Sequence, residues 1–317
     1  MAKVMLNAKV ATQNNSTPWI AYAELTMAMV LVGSLSVVGK LIIASFPIML
    51  SSFVILFIAA VFMSIAQLLF RRPLLRLKFM QLKYLFYQTF FGIFLFRVFF
   101  FLGLFWVSAA TAGLLISLTP LMVAFLAVIF MGESLTKALG FSLLFCTTGL
   151  VICQYHELSI ATGGQEFIGL ILVLLAAICE ALFVILRKKV NSIAVDPFTA
   201  NTYLCYIGAA LFLPFALWDL RSFSFSGVSA KAYVPLIYSA LFVNIAAFTL
   251  WFRGCDKVSS VTSGVFIGVM PVSALILSYI FLHEPINLSM VIGIALVITG
   301  LLIIIVPIGN SKPGLKP

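Results

Sequence analysis

The chain is 317 residues long, 63% hydrophobic and only 9% charged, with a mean hydropathy of +1.22 and a net charge of +10. Soluble domains carry roughly a quarter of their residues as charges, so this composition excludes a water-soluble fold and makes lipid the solvent.

A bilayer core about 30 Å thick takes about 20 apolar residues per helical span, and the chain offers ten such runs. They fall at about 20–42, 47–70, 82–105, 109–131, 137–155, 166–186, 198–218, 232–252, 258–282 and 288–308. A membrane β-barrel would show alternating segments of about ten residues, whereas these runs are continuous. The fold class expected is therefore an all-α membrane protein of ten transmembrane helices. Residues 1–17 form a polar tail with Lys3 and Lys9, and the run after it lacks a cleavage site, so it is read as a retained span. The first repeat covers 18–155, a linker 156–165, the second repeat 166–308 and a tail 309–317. Cys146, Cys153, Cys179, Cys205 and Cys255 sit in or beside apolar runs and read as small buried hydrophobes rather than a disulfide framework.

With the N-terminus in the cytoplasm, the loops on that side hold 15 of the 19 Lys and Arg, among them Arg71, Arg72, Arg187, Lys188, Lys189, Arg253 and Lys257. The positive-inside rule then puts both termini in the cytoplasm, and a bacterial inner (plasma) membrane is the expected location. This asymmetry, with an anionic inner leaflet, accounts for the net charge. A nucleic-acid partner is not needed to explain it.

One phrase is written twice: ISLTPLMVAFLAVIFMGESLT at 116–136 and IGVMPVSALILSYIFLHEPIN at 267–287. Sliding the chain by 151 residues aligns 99–153 with 250–304 at sixteen identities, among them Gly103 with Gly254, Gly113 with Gly264, Pro120 with Pro271, Glu133 with Glu284 and Gly149 with Gly300. Each repeat holds five spans, an odd number, so the second enters the membrane from the opposite side. Inverted repeats of this kind belong to secondary transporters.

Two five-span units, each with a proline in its fourth span, an F-(M/L)-(G/H)-E phrase closing it (Gly132 and Glu133; His283 and Glu284) and a fifth span reading TTGLVI or ITGLLI, resemble the EamA domains of the drug/metabolite transporter superfamily. The resemblance covers nearly the whole chain, with His283 standing where glycine is usual. It implies a ten-helix carrier whose central cavity is lined by spans 1 to 4 and 6 to 9, with spans 5 and 10 as scaffold. Family members move amino acids, nucleotide-linked metabolites and other small polar solutes, often outward.

Proline removes a backbone donor and frees the carbonyl four residues earlier, here Ile116 and Ile267. Both prolines lie on stripes of small residues that include Gly113 and Gly264, which permits close, sliding helix contacts; Pro120, Pro271, Gly113 and Gly264 are read as hinge and packing positions. Glu133 and Glu284 close their spans and are expected to cap the helices that follow them. Glu24 lies one turn inside span 1 and is expected to reach back to the interface.

Arg97, amid FLFRVFFF, and Glu180, two turns inside span 6, are mid-span charges. Each costs about 2.5 to 3.5 kcal/mol there on insertion scales and must face the interior. They either pair with each other as a structural lock or meet a charged solute. The 151-residue offset places Ile93, Arg97 and Phe100 over Asn244, Phe248 and Trp251, each trio on one helical side. The candidate solute site is Arg97, Glu180, Asn244, Phe100, Phe248 and Trp251, with Tyr203 and Gln88 as secondary members. Guanidinium would take a carboxylate, Glu180 an ammonium, and the rings an apolar body or cation. Glu180 could also exchange a proton, allowing proton coupling.

The function read from the sequence is secondary-active transport of a small polar metabolite, an amino acid or relative, outward by alternating access. An uptake or exchange carrier for a nucleotide-linked metabolite is the nearer alternative; an integral membrane enzyme or structural subunit is the more distant one. His156 and His283 are isolated, no metal-ligand spacing or phosphate loop occurs, and no cofactor or catalytic group is expected. The partners expected are a small-molecule solute and the lipid bilayer, with the chain as monomer or homodimer.

Overall fold

A computed structural model describes residues 18–70, 77–103, 105–107, 112, 115–116, 118–155, 164–193, 195–283 and 287–305. Among these the ordered elements are helical, in the expected order: α1 (Pro18–Gly33 continued by Leu35–Ile43), α2 (Ile48–Leu69), α3 (Phe79–Thr89, Phe90–Leu95 and Phe96–Gly103), α4 (Thr119–Met131) and α5 (Lys137–Tyr155) in the first half. The second half holds α6 (Gly164–Ser192), α7 (Pro197–Asp219), α8 (Tyr233–Tyr238, Ser239–Ala247 and Phe248–Cys255), α9 (Ser260–Phe266 and Val269–Leu282) and α10 (Leu288–Ile305). Seven are long and apolar enough to cross a membrane, and three shorter described stretches, in α4, α5 and α10, are apolar as well. The expected all-α membrane architecture is borne out.

The helix ends follow from their residues. Asp196 precedes Pro197 and its carboxylate accepts from the N–H groups of Phe198 and Thr199, both at 3.1 Å, which starts α7. At its other end α7 supplies Asp219, whose Oδ2 accepts from Leu50 N at 3.0 Å and so caps the start of α2. α4 ends at Gly132 in the left-handed region (φ 65), where Glu133 N reaches back to Ala127 O at 3.2 Å. His283 occupies the equivalent position with φ 54.

Packing repeats the sequence symmetry. α5 packs on α10, α2 on α7 and α4 on α9, each helix against its own counterpart; α3 packs on α6 as α8 does on α1, and α4 on α6 as α9 does on α1. The contacts are made at equivalent glycines. A Cβ on Gly103 would meet Val173 Cγ2 at 2.6 Å, and one on Gly254 would meet Leu25 Cγ at 2.7 Å. Likewise a Cβ on Gly149 would lie 2.6 Å from Gly293 O, and one on Gly300 2.8 Å from Ser142 O. These backbones meet because the side chains between them are absent.

The irregularities are symmetric as well. α3 and α8 both widen into π-helix, at Phe90–Leu95 and Ser239–Ala247, and such widening exposes carbonyls that need partners. In α8, fully buried Asn201 of α7 supplies them, donating through Nδ2 to Asn244 O at 2.7 Å and Ile245 O at 3.4 Å. α9 breaks at Ile267–Gly268 just before Pro271, and Leu118 N bonds Leu115 O at 3.1 Å in a tight turn just before Pro120.

Candidate functional site

A cavity of about 690 Å³ lies between the halves, walled by α1, α2, α3, α6, α8 and α9 with Ile116, Pro120 and Leu150. It reaches Ile43 and Ile48, which flank the α1–α2 turn, and toward the other end of the bundle its lining stops at Phe183, Val184 and Trp251. Six of the eight proposed solute residues line it: Arg97, Glu180, Asn244, Phe100, Phe248 and Trp251. Five of them, Arg97, Phe100, Asn244, Phe248 and Trp251, are the residues that the 151-residue offset put on one side of α3 and α8, the two helices that widen at the same place.

Arg97 follows the π segment of α3 and crosses toward α2 and α7. Its Nη1 donates to Ser52 Oγ, and the guanidinium lies 5.7 Å from the Phe212 ring centroid. Glu180, on the neighbouring α6, turns instead toward α4, where Thr119 Oγ1 donates to its Oε2 at 2.9 Å. The lock between the two charges does not form: the ion pairs among the described residues are Arg187–Asp256 and Glu24 with Arg253 and Lys257. The two mid-span charges therefore share one cavity while each is steadied by a hydroxyl. Asn244 is 5% exposed and spends its Nδ2 on Ser239 O at 2.9 Å, closing a carbonyl of its own π segment. Phe248 and Trp251 then supply aromatic wall, with Phe183 edge-on to Phe248 at 5.8 Å.

Two proposed members lie elsewhere. Gln88 is fully buried before the π segment and donates to Phe183 O at 3.4 Å, tying α3 to α6 outside the cavity lining. Tyr203 packs against the main apolar core on α7 and is likewise absent from the lining. Pro120 and Pro271 both line the cavity. Gly264 lets α9 meet α4, since a Cβ there would lie 2.7 Å from Val123 Cγ1. Gly113 and Glu284 lie outside the described residues.

Glu133 caps a helix other than the one expected. Its two carboxylate oxygens accept from Ser260 N at 2.9 Å and Val261 N at 3.2 Å, so it holds the start of α9, in the opposite repeat, rather than α5. Glu24 differs too: 8% exposed, it bridges Arg253 Nη2 at 2.9 Å and Lys257 Nζ at 2.6 Å instead of reaching the interface. Arg187, fully buried, meets Asp256 through two bonds of 2.9 and 2.5 Å and lies over the Phe252 ring at 4.5 Å. Lys188 Nζ donates to the carbonyls of Cys255 and Val258. All of these converge on residues 253–261, the α8–α9 corner, at the end of the bundle that the cavity does not reach. Burial pushes the Asp256 carboxyl up from its ordinary value, against the pull of Arg187.

Ser52, Thr119 and this clamped corner were missed by sequence reasoning. Serines and threonines abound in the spans, and only the three-dimensional path of Arg97 and Glu180 singles these two out.

Comparison with known proteins agrees with the architecture. The model of the EamA-like transporter family matches residues 19–154 and 167–306. The chain is 33% identical over 287 residues to the uncharacterized transporter YetK of Bacillus subtilis (strain 168), covering 90% of this chain and 87% of that one. It is 25% identical over 202 residues to a protein of Streptantibioticus cattleyicolor named "Probable terminal-alkyne amino-acid exporter", covering 62% and 64% of the two chains. A crystal structure at 17% identity superposes with a TM-score of 0.75 over 90% of this chain and 96% of that one, a likeness of fold. Two matched repeats, a relative aligned nearly end to end and the ten-helix architecture lead to one conclusion: the chain is a multi-pass membrane protein that belongs to the EamA-like transporter family.

Proposed function

We propose that the protein is a secondary carrier that exports a small zwitterionic metabolite of the amino-acid type, one with an apolar body, by alternating access. The observation that carries this reading is the pair Arg97 and Glu180, opposite charges on one cavity wall that are not paired with each other. A free carboxylate would take the guanidinium in a charge-assisted bond, and an ammonium would take Glu180. Phe100, Phe248 and Trp251 would cover the rest of the solute. A nucleotide-linked metabolite fits less well, because a diphosphate needs several cationic groups and Arg97 is the one cation in the lining among the described residues. The name of the Streptantibioticus relative points the same way.

With both termini in the cytoplasm of a bacterial inner membrane, the clamped corner at Arg253–Val261 is the cytoplasmic end. The cavity then faces outward. The breaks before Pro120 and Pro271 and the π segments of α3 and α8 are the points at which either half would bend. Uptake of labelled L-amino acids into proteoliposomes tests the reading. Wild-type protein should give saturable, exchangeable flux, and Arg97→Gln, purified with an unchanged elution profile, should raise KM at least tenfold. Wild-type KM and rate in that variant would remove Arg97 from the site, and flux that never saturates would remove the carrier.

A further inference from the structure

We propose that Gln88 is a solute contact of the opposite conformation: its side-chain oxygen accepts from the solute's ammonium when the closed end of the cavity opens, as Ser239 serves the solute at the other end. The inference rests on the alternating-access reading and deepens it, adding the residue that the solute meets beyond Phe183.

The cavity lining repeats the 151-residue offset almost completely. Between Gly92 and Phe100, α3 gives it five residues, and all five counterparts on α8, between Val243 and Trp251, line it as well. The match fails at two pairs. Ser239 and Phe101 line the cavity, whereas their counterparts Gln88 and Phe252 do not. In inverted repeats α3 and α8 run in opposite directions, so the two unmatched lining residues share one end of the cavity and the two hidden ones share the other. Exchanging the roles of the halves reverses this: Gln88 and Phe252 enter the wall, and Ser239 and Phe101 leave it.

Both members of the pair 88 and 239 carry an unpartnered polar atom. Six buried side-chain oxygens or nitrogens among the described residues lack a hydrogen-bond partner, and Gln88 Oε1 and Ser239 Oγ are two of them, on residues 0% and 1% exposed. For Gln88 the reason is local. Phe183 O takes its Nε2 at 3.4 Å, and a carbonyl can only accept, so the amide must turn its oxygen away. A desolvated acceptor without a partner is unfavourable, and opening this end relieves it.

One side chain keeps Gln88 from the cavity. Phe183 lines the closed end, lies against the Phe252 ring at 5.9 Å, and packs on Gly92, where an added Cβ would stand 2.4 Å from that of Phe183. Phe183 is three residues beyond Glu180 on α6, so an ammonium leaving Glu180 finds the Gln88 oxygen about one helical turn further on, roughly 5 Å. As an acceptor only, that oxygen selects N–H or O–H donors and repels a carboxylate.

The test follows Gln88→Cys and Ser239→Cys in the full-length protein in sealed vesicles. A membrane-impermeant cationic methanethiosulfonate is applied to one face at a time, and adducts are mapped by peptide mass spectrometry, which keeps the native cysteines distinct. Each position should label at least tenfold faster from one face than from the other, and the two faces should be opposite. Adding Asp256→Ala, which loosens the α8–α9 corner, should speed labelling at position 88 and slow it at 239. Labelling of both positions from one face, or none at 88 even with Asp256→Ala, overturns the proposal. Contact is read from the flux of labelled L-amino acids in Gln88→Leu. A residue that only ties α3 to Phe183 would, when lost, free the closed end, so KM from the face that labels position 88 would fall or stay; either result also overturns the proposal. A solute contact raises that KM at least fivefold, and Gln88→Glu, which keeps an acceptor oxygen, restores most of it. Absence of amino-acid flux in the wild type would count against the solute assignment alone, and the labelling then decides whether Gln88 joins the second cavity.

Discussion

Replacing Asp256 by alanine isolates the clamped corner. Arg187 is fully buried and its Nη1 has no hydrogen-bond partner among the described residues even in the intact pair. Without Asp256 the guanidinium keeps only the Phe252 ring at 4.5 Å. Removing one member of a buried pair costs about 3 to 5 kcal/mol, because the other charge stays buried and uncompensated. For a chain of this size that is a fall in Tm of about 6 to 10 °C, at about 2 °C per kcal/mol, read by tryptophan fluorescence in micelles. The double variant Arg187→Met with Asp256→Leu should regain most of this loss, since packed apolar side chains can replace a buried pair at little cost. The cost in Asp256→Ala also falls on the conformation with this end closed, so a cysteine at Gly39, where a side chain meets nothing within 4 Å, should label more slowly from the cavity side. A single variant within 1 kcal/mol of wild type, or a double variant as damaged as the single, would refute the reasoning.

The pH dependence has a definite sign. With its folded value raised by burial, Asp256 contributes stability that is full below its unfolded value and lost as pH climbs through the folded one; Asp256→Asn should lose that decline in a Tm series across the acid range. His283 holds φ 54 where its counterpart Gly132 holds φ 65, so His283→Gly should gain and Gly132→Ala lose about 1 kcal/mol, measured by thermal unfolding. Gly149→Ala should cost more, about 2 to 3 kcal/mol, because its Cβ would press on Gly293 O at 2.6 Å; a Tm unchanged by that methyl would contradict the close α5–α10 crossing.

Much of this architecture was readable because lipid leaves few choices. Ten apolar runs and a 151-residue echo fix helix number and inversion, and the echo also selects Arg97, Asn244, Phe248 and Trp251 as one wall. Local pattern failed where partners are distant in sequence. Glu24 meets Lys257, 233 residues away, and Glu133 meets Ser260, 127 residues away; a carboxylate near a helix end looks the same whichever helix it caps. Gln88 and Tyr203 were chosen for polarity inside a span, yet a polar side chain there serves a neighbouring helix as readily as a cavity. The π segments have no composition of their own and emerge only from the backbone.

The two ends of the bundle are held by different forces. At the α8–α9 corner they are charges, and Arg253 in the bridge to Glu24 is 54% exposed. At the other, Phe46 of the α1–α2 turn meets Phe223 at 5.9 Å and Tyr233 at 5.3 Å, ring against ring. Mobile ions weaken an exposed bridge, whereas strongly hydrated anions such as sulfate tighten apolar burial. On the alternating-access reading proposed above, the ionic strength and anion type of the medium should therefore tilt which mouth of the protein rests open, and measurements made in different buffers would sample different resting populations of the same molecule.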